Sequence, residues 1–300
     1  MTELLTEKIG GQPALTILHL SDTHLFGADA SGATRLHYGV VDTTAALRRV
    51  LDSAAGISSL DLVIASGDLS DDGSQHSYRT LAELLGPWAA ERGATVVYTM
   101  GNHDLRDGFE AVLGAREQVS TVRGFRIVTL DTSVPGAGYG ELDDSQLDRL
   151  QEELATPAEH GTVLVLHHPP VPAITALLTA LELQRPQALQ AICAAGDVRV
   201  VLCGHYHHAM ATAFDGVAVL VAPAVANCTD IRPVAGHETA RAGSGFALIE
   251  VPAEVPAGGI RFLPVNVPSA DDGAVVSDLT PDQVAQIALA AGPPTPAGQR

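Results

Sequence analysis

Cysteine, positive charge and long apolar runs are all scarce in this chain, and each scarcity excludes a class of protein. The three cysteines, Cys193, Cys203 and Cys228, are odd in number and show no CxxC spacing, which speaks against a disulfide framework and for a reducing compartment. Lys and Arg number 17 against 35 Asp and Glu, a formal net charge of −18. Such an acidic surface repels polyanions, so neither nucleic acid nor an anionic membrane is an expected partner. Positive charge would have to be local, as a bound pair of metal ions would be. The longest apolar stretch, 217–226, is interrupted by Pro223 and falls far short of the roughly 20 residues that span a bilayer. Residues 1–10 hold Glu3, Glu7 and Lys8 without the basic start and apolar centre of a secretory signal, so the expected location is cytoplasmic.

What is present is a hydrophobic content of 46% over 300 residues, with no internal repeat and no linker that divides the chain. That suits one large α/β domain. Apolar runs at 15–20, 62–65, 95–98, 125–130, 162–166 and 198–202 read as buried strands. Apolar residues at helical spacing mark 40–54, 77–85, 143–154 and 186–195 as helices. Beyond residue 208 the alternation stops; 209–214, 217–221, 245–251 and 260–265 read as strands of a second, largely antiparallel sheet or a sheet extension. A short helix is expected at 281–291, followed by a loosely held Pro/Ala/Gly tail. The segments 25–39, 135–140, 171–185 and 227–244 read as loops that set selectivity.

Five of these strands run into polar motifs: Asp22-Thr23-His24, Gly67-Asp68, Gly101-Asn102-His103-Asp104, His167-His168-Pro169 and Gly204-His205-Tyr206-His207. Open α/β sheets place their ligands at such strand ends. Asp22 and His24, two apart on an extended chain, can point toward one ion. Together the motifs offer Asp22, His24, Asp68, Asn102, His167, His205 and His207, all nitrogen or oxygen donors, a set that suits Mn, Fe or Zn. A carboxylate such as Asp68 can bridge two ions. Two ions roughly 3.5–4 Å apart can hold a hydroxide between them and clamp phosphoryl oxygens, so phosphate ester hydrolysis is the chemistry such a site serves best.

In this order the five motifs resemble those of calcineurin-like metallophosphoesterases, over about residues 15–250. The resemblance implies an α/β four-layer sandwich of two mixed β-sheets flanked by α-helices. On this reading residues 1–267 form the catalytic domain and 268–300 a C-terminal extension. It implies that Asp22, His24, Asp68 and His207 hold one ion, and that Asp68, Asn102, His167 and His205 hold the other. Asn102, His103 and His207 are then the expected contacts to substrate. His103 would stabilise the transition state or protonate the departing oxygen, and Asp71 resembles the acidic partner that orients it. In Ser21-Asp22-Thr23-His24, Leu130-Asp131-Thr132-Ser133 and His167-His168-Pro169-Pro170 the wording is closest to bacterial class III cyclic nucleotide phosphodiesterases. That branch implies a dinuclear-metal enzyme hydrolysing 3′,5′-cyclic nucleotides or related small phosphodiesters by attack of a metal-bridging hydroxide. It also implies a homodimer.

The same metal site would serve a phosphomonoesterase or protein phosphatase. A nuclease fits the acidic chain poorly, and a non-enzymatic scaffold would be marked by missing ligands, of which there are none. His19, His76, His160 and His237 belong to no motif and read as structural or exposed. His168 and His208 flank ligands and either support them or have no role. Phe26, Tyr38, Tyr139 and Tyr206 offer stacking surfaces for a base, although ordinary packing is the simpler fate of each.

Overall fold

Strand and helix alternate through the first half of the chain, as the computed structural model shows for residues 14–27, 35–254 and 259–294. Residues 1–10, the middle of the expected 25–39 loop and the end of the C-terminal tail lie outside the described residues. The chain runs β1 (Ala14–Leu20), α1 (Thr43–Ser53), β2 (Leu62–Ser66), α2 (Gln75–Ala90), β3 (Thr95–Thr99) and α3 (Arg106–Leu113). It continues through β4 (Gln118–Val122), β5 (Phe125–Thr129), α4 (Asp144–Leu154), β6 (Thr162–Val165), α5 (Ala176–Ala180), α6 (Pro186–Ala195) and β7 (Val198–Cys203). Then come β8 (Met210–Phe214), β9 (Val217–Val221), β10 (Cys228–Thr229), β11 (Glu238–Arg241), β12 (Ser244–Pro252), β13 (Arg261–Val267), β14 (Val275–Leu279) and α7 (Pro281–Ala291).

Caps set several helix boundaries. The Asp42 carboxylate accepts from the Ala45 backbone N–H at 2.9 Å, so the first helix begins at Thr43 and not at residue 40 as its apolar spacing suggests. At α4, Asp143 and Gln146 form a reciprocal capping box.

Two sheets stack face to face. The first has the order β13-β12-β1-β2-β3, the second β4-β5-β6-β7-β9-β8. β1, β2 and β3 are mutually parallel, as are β5, β6, β7 and β9. Side chains alternate between the two faces of each strand. Ile17, Ile64 and Ile249 from the first sheet meet Ile127, Val163, Val165 and Leu202 from the second. Leu18, Leu20 and Val63 face outward onto Leu47, Val50 and Leu81 of the helices. Leu164 and Val201 do the same on the other side, against Leu150, Leu154 and Leu189. The result is the expected four-layer sandwich, in which each large buried aliphatic contributes roughly 1.5–3 kcal/mol.

The four later strands expected from the sequence form the sheet extension of the two alternatives, divided between the two main sheets. β12 lies antiparallel to β1, while β9 extends the second sheet parallel to β7, with β8 at its edge. The reason is double-sided burial: Phe246 and Leu248 join the helix-side core and Ala247, Ile249 and Val251 the inter-sheet core. A third, three-stranded sheet of order β10-β11-β14 covers the end of the sandwich. Its strand β14 and helix α7 come from the segment after residue 267. They are tied to the main body through β11, through contacts of α7 with α5, and through the Gly138 N–H, which donates to the Ala291 carbonyl at 2.8 Å. Among the described residues no helix is long and apolar enough to cross a membrane, and all three cysteines are free.

Candidate metal centre

The carboxyl ends of β1, β2 and β3 in one sheet and of β6 and β7 in the other converge on one point. Five of the seven candidate ligands sit there with positive φ: Asp22 at 53°, His24 at 45°, Asp68 at 48°, His205 at 68° and His207 at 52°. Such left-handed conformations cost non-glycine residues roughly 1–3 kcal/mol each and persist where surrounding structure imposes them. Here the backbone N–H of Asp22 donates to the Gly67 carbonyl at 3.0 Å and that of His24 to the Asp68 carbonyl at 2.9 Å. Glycine permits the crowding. A Cβ on Gly67, whose φ is +95°, would stand 2.4 Å from His167 Nδ1, and one on Gly204 would stand 1.7 Å from Ser21 Oγ.

All seven candidates come together. Donor atoms of Asp22, His24, Asp68 and His207 lie within 4.8 Å of one another, and those of Asp68, His167 and His205 form a second group by the same measure. Asp68 belongs to both. Asn102 lines the same cavity as Asp68, His205 and His207.

Each histidine has one ring nitrogen committed elsewhere, which fixes the other as a free donor. Nδ1–H of His24 donates to Asp71 Oδ1 at 3.0 Å, that of His167 to the Ser66 carbonyl at 2.8 Å, and that of His207 to the Asn227 carbonyl at 3.1 Å. This leaves the three Nε2 lone pairs for the centre. His205 is reversed: its Nε2–H donates to the Leu181 carbonyl at 3.0 Å, so Nδ1 is its free nitrogen.

This donor set fits cations. His24 Nε2 and His207 Nε2 face each other at 3.3 Å, a repulsive contact between two lone pairs. His167 Nε2 and Asn102 Oδ1 are buried without a hydrogen-bond partner, although His167 Nε2 stands 3.3 Å from the Asp68 carboxylate. Among the described residues these two atoms are open to an ion or a water.

The protein charges point the same way. Burial opposes ionisation of both carboxylates, yet His207 holds Asp22, and His167 with His103 holds Asp68, well below the usual carboxylate range. Burial works against protonation of His167, but Asp68 and Asp22 outweigh it and push its pKa up to about 9. His24 and His205 are pushed down by burial, to about 4 and about 3. The two carboxylates thus draw positive charge onto His167 and His207, and cations bound by the same nitrogens would supply that charge in place of the protons.

The family model described as calcineurin-like phosphoesterase matches residues 15–209. The chain belongs to the calcineurin-like phosphoesterase family. This phosphoesterase is 40% identical over 250 residues to a cAMP/cGMP dual specificity phosphodiesterase of Mycobacterium tuberculosis, covering 80% of this chain and 77% of the relative. It is 36% identical over 199 residues to the 3′,5′-cyclic adenosine monophosphate phosphodiesterase CpdA of Pseudomonas aeruginosa, covering 65% and 70%. Among solved structures, a dimetal phosphatase from Danio rerio shares the fold with a TM-score of 0.53 at 14% identity, covering 85% of this chain and 99% of that one. Family and donor set together support two metal ions.

Around the phosphoesterase centre stand further polar residues that support it. Asp104 accepts from the backbone N–H groups of Gly101 at 2.9 Å, Leu69 at 3.1 Å and Ser70 at 2.9 Å, and from the Tyr78 hydroxyl at 3.0 Å. It clamps the β2 and β3 loops together; burial, then the Asp68 charge, raises its pKa to about 6. Asp71 stands 3.3 Å from His103 Nδ1 and equally far from His37 Nδ1. His37 in turn donates to Asn227 Oδ1 at 3.1 Å. Asp131, at the exit of β5, is held by Arg116 and Arg106 and stays outside the ligand groups. His168 binds Thr132 Oγ1 at 2.8 Å, a supporting contact beside His167. Tyr206 is fully buried with its hydroxyl donating to the Val171 carbonyl at 2.7 Å, so it presents no stacking face.

Proposed function

We propose that this chain is a dinuclear-metal phosphodiesterase that opens 3′,5′-cyclic nucleotides, or closely related small phosphodiesters, to monoesters. The observation that carries the reading is Asp68, the one carboxylate common to both donor groups. The setting is a family in which relatives at 36% and 40% identity bear cyclic nucleotide phosphodiesterase names. When bound, two ions supply an activated water and neutralise the phosphoryl oxygens; Mn, Fe or Zn suit the nitrogen and oxygen donors.

The chain's own residues do the rest. Asp22, His24, Asp68 and His207 would hold one cation, and Asp68, Asn102, His167 and His205 the other. Asn102, His103 and His207 line the cavity in which the phosphoryl group rests. His103 is two-fifths exposed. Burial resists its protonation, but the charges of Asp68 and Asp71 favour it, which suits the imidazole to act as the acid. In that role it would donate its proton to the departing 3′ oxygen as the P–O3′ bond breaks and a hydroxide oxygen bonds to phosphorus, which leaves a free 3′-hydroxyl and the 5′-monophosphate.

The three unpaired cysteines support a cytoplasmic location, and the net charge of −18 supports a small-molecule substrate over nucleic acid. A homodimer is part of the same reading, checked by sedimentation.

The test is turnover by metal-depleted protein, with Mn, Fe or Zn restored one at a time, on 3′,5′-cyclic AMP and on matched aryl mono- and diesters. The expected outcome is 5′-AMP as product and faster diester than monoester cleavage. Turnover confined to the monoester would assign a phosphomonoesterase instead.

A further inference from the structure

The cavity at the centre measures about 130 Å³, and its wall is shared between Asp68, Asn102, His103 and His207 of the sandwich and Glu238 of the small sheet. Glu238 is the first residue of β11 and is only 7% exposed. One of its carboxylate oxygens, Oε1, accepts from the Thr175 hydroxyl at 3.0 Å. Thr175 is itself buried and held as the cap of α5, accepting from the Leu178 N–H at 3.4 Å. The Leu177 backbone N–H also faces the carboxylate, and the other oxygen, Oε2, is buried with no hydrogen-bond partner among the described residues. A fixed, desolvated acceptor in the wall of a substrate cavity is costly unless a ligand satisfies it.

Charge and size narrow the ligand group. A carboxylate repels the anionic phosphoryl group, which belongs with the cations and His103. Its partner must be a neutral donor near the phosphate, and the part of the cavity shared with Asp68, Asn102, His103 and His207 receives the phosphoryl group and the ring fused to it before any more distant group. The donor therefore sits on the sugar ring. In a 3′,5′-cyclic ribonucleotide the one free sugar hydroxyl is the 2′-OH, on the carbon beside the one that bears the scissile oxygen.

We propose that Glu238 is a specificity-determining residue whose Oε2 accepts a hydrogen bond from the ribose 2′-hydroxyl, so that the site selects ribonucleotide over deoxyribonucleotide cyclic diesters. The proposal rests on the cyclic nucleotide reading above.

The experiment compares kcat/KM for 3′,5′-cyclic AMP and its 2′-deoxy analogue in the metal-loaded full chain and in Glu238→Ala and Glu238→Gln, with an aryl phosphodiester in parallel. A hydrogen bond to a charged acceptor corresponds to a preference of roughly 10- to 100-fold. The wild type is expected to favour the ribo substrate by that factor, Glu238→Ala to lose the preference, and Glu238→Gln, which keeps an acceptor, to fall between. Calorimetric binding of 5′-AMP and 2′-deoxy-5′-AMP reads the same preference without turnover. A ribo/deoxy ratio equal in wild type and Glu238→Ala overturns the assignment of Glu238 and leaves the cyclic nucleotide reading standing. Cleavage of the aryl diester with neither cyclic nucleotide consumed overturns both.

Discussion

Oδ1 of Asp71 lies 3.3 Å from Nδ1 of His103, and the same oxygen stands 3.0 Å from Nδ1 of the candidate ligand His24. One carboxylate thus links the imidazole that faces the cavity to one that faces the metal centre. Its charge, added to that of Asp68, raises the pKa of His103 against the pull of burial. An acid catalyst works in its protonated form, so kcat falls as pH rises through that pKa. Asp71→Asn removes a negative charge and stabilises the imidazolium less, which moves the basic limb of the kcat profile to lower pH. The loss relative to the wild type should therefore grow with pH along that limb, where the wild-type imidazolium persists and the variant's does not. A pH–kcat profile of the variant checks this; an unmoved basic limb would remove Asp71 from the role.

Gly67 tests the crowding at the strand ends. Its φ is +95°, and a Cβ there would stand 2.4 Å from His167 Nδ1. Gly67→Ala is expected to cost at least about 2 kcal/mol, from backbone strain and displacement of a buried ring. Denaturant unfolding measures the cost, and metal analysis should find fewer than two ions per chain.

Acid stability has a separate probe in His19, which is fully buried with Nε2 2.8 Å from Ser66 Oγ. Burial pushes its pKa from 6.5 down to about 3, against a smaller opposing pull from Asp22. Below pH 6.5 the unfolded chain takes up a proton that the folded chain refuses. Stability that is fully present above 6.5 is therefore lost progressively as pH falls toward 3. At pH 5 the loss amounts to about 2 kcal/mol. His19→Gln should shrink the stability drop between pH 7.5 and pH 5 by about that amount, as read from unfolding curves at the two pH values.

Much of the centre is legible in the chain because its ligands follow buried strands. The runs 15–20, 62–65 and 198–202 are apolar on both faces save for Thr16, His19 and Arg199, so their ends mark where polar groups gather. Other elements leave no such trace. β4 is exposed along nearly its whole length, so no apolar pattern announces it, and α5 spans five residues, too few for a helical period. β10 and β11 are two and four residues long, inside a segment that reads as loop. His37, Asn227 and Glu238 meet the centre only through tertiary folding. His37 and Asn227 are 190 positions apart in sequence yet hydrogen bonded, a relation that no local spacing encodes. The splitting of the later strands between two sheets is hidden for a similar reason, because a strand buried on both faces carries no sign of which neighbour it will join.

The measurement that bears most directly on the two-ion centre is activity titrated against bound metal per chain, in the wild type and in Asp68→Ala. If Asp68 is shared by two cations, phosphodiesterase activity should emerge as the second equivalent binds and saturate at two per chain. Asp68→Ala should hold fewer than two ions and lose at least about a thousandfold in kcat, as expected when several kcal/mol of charge stabilisation are removed. Full activity at one ion per chain, or an Asp68→Ala variant with unchanged turnover, would contradict the account.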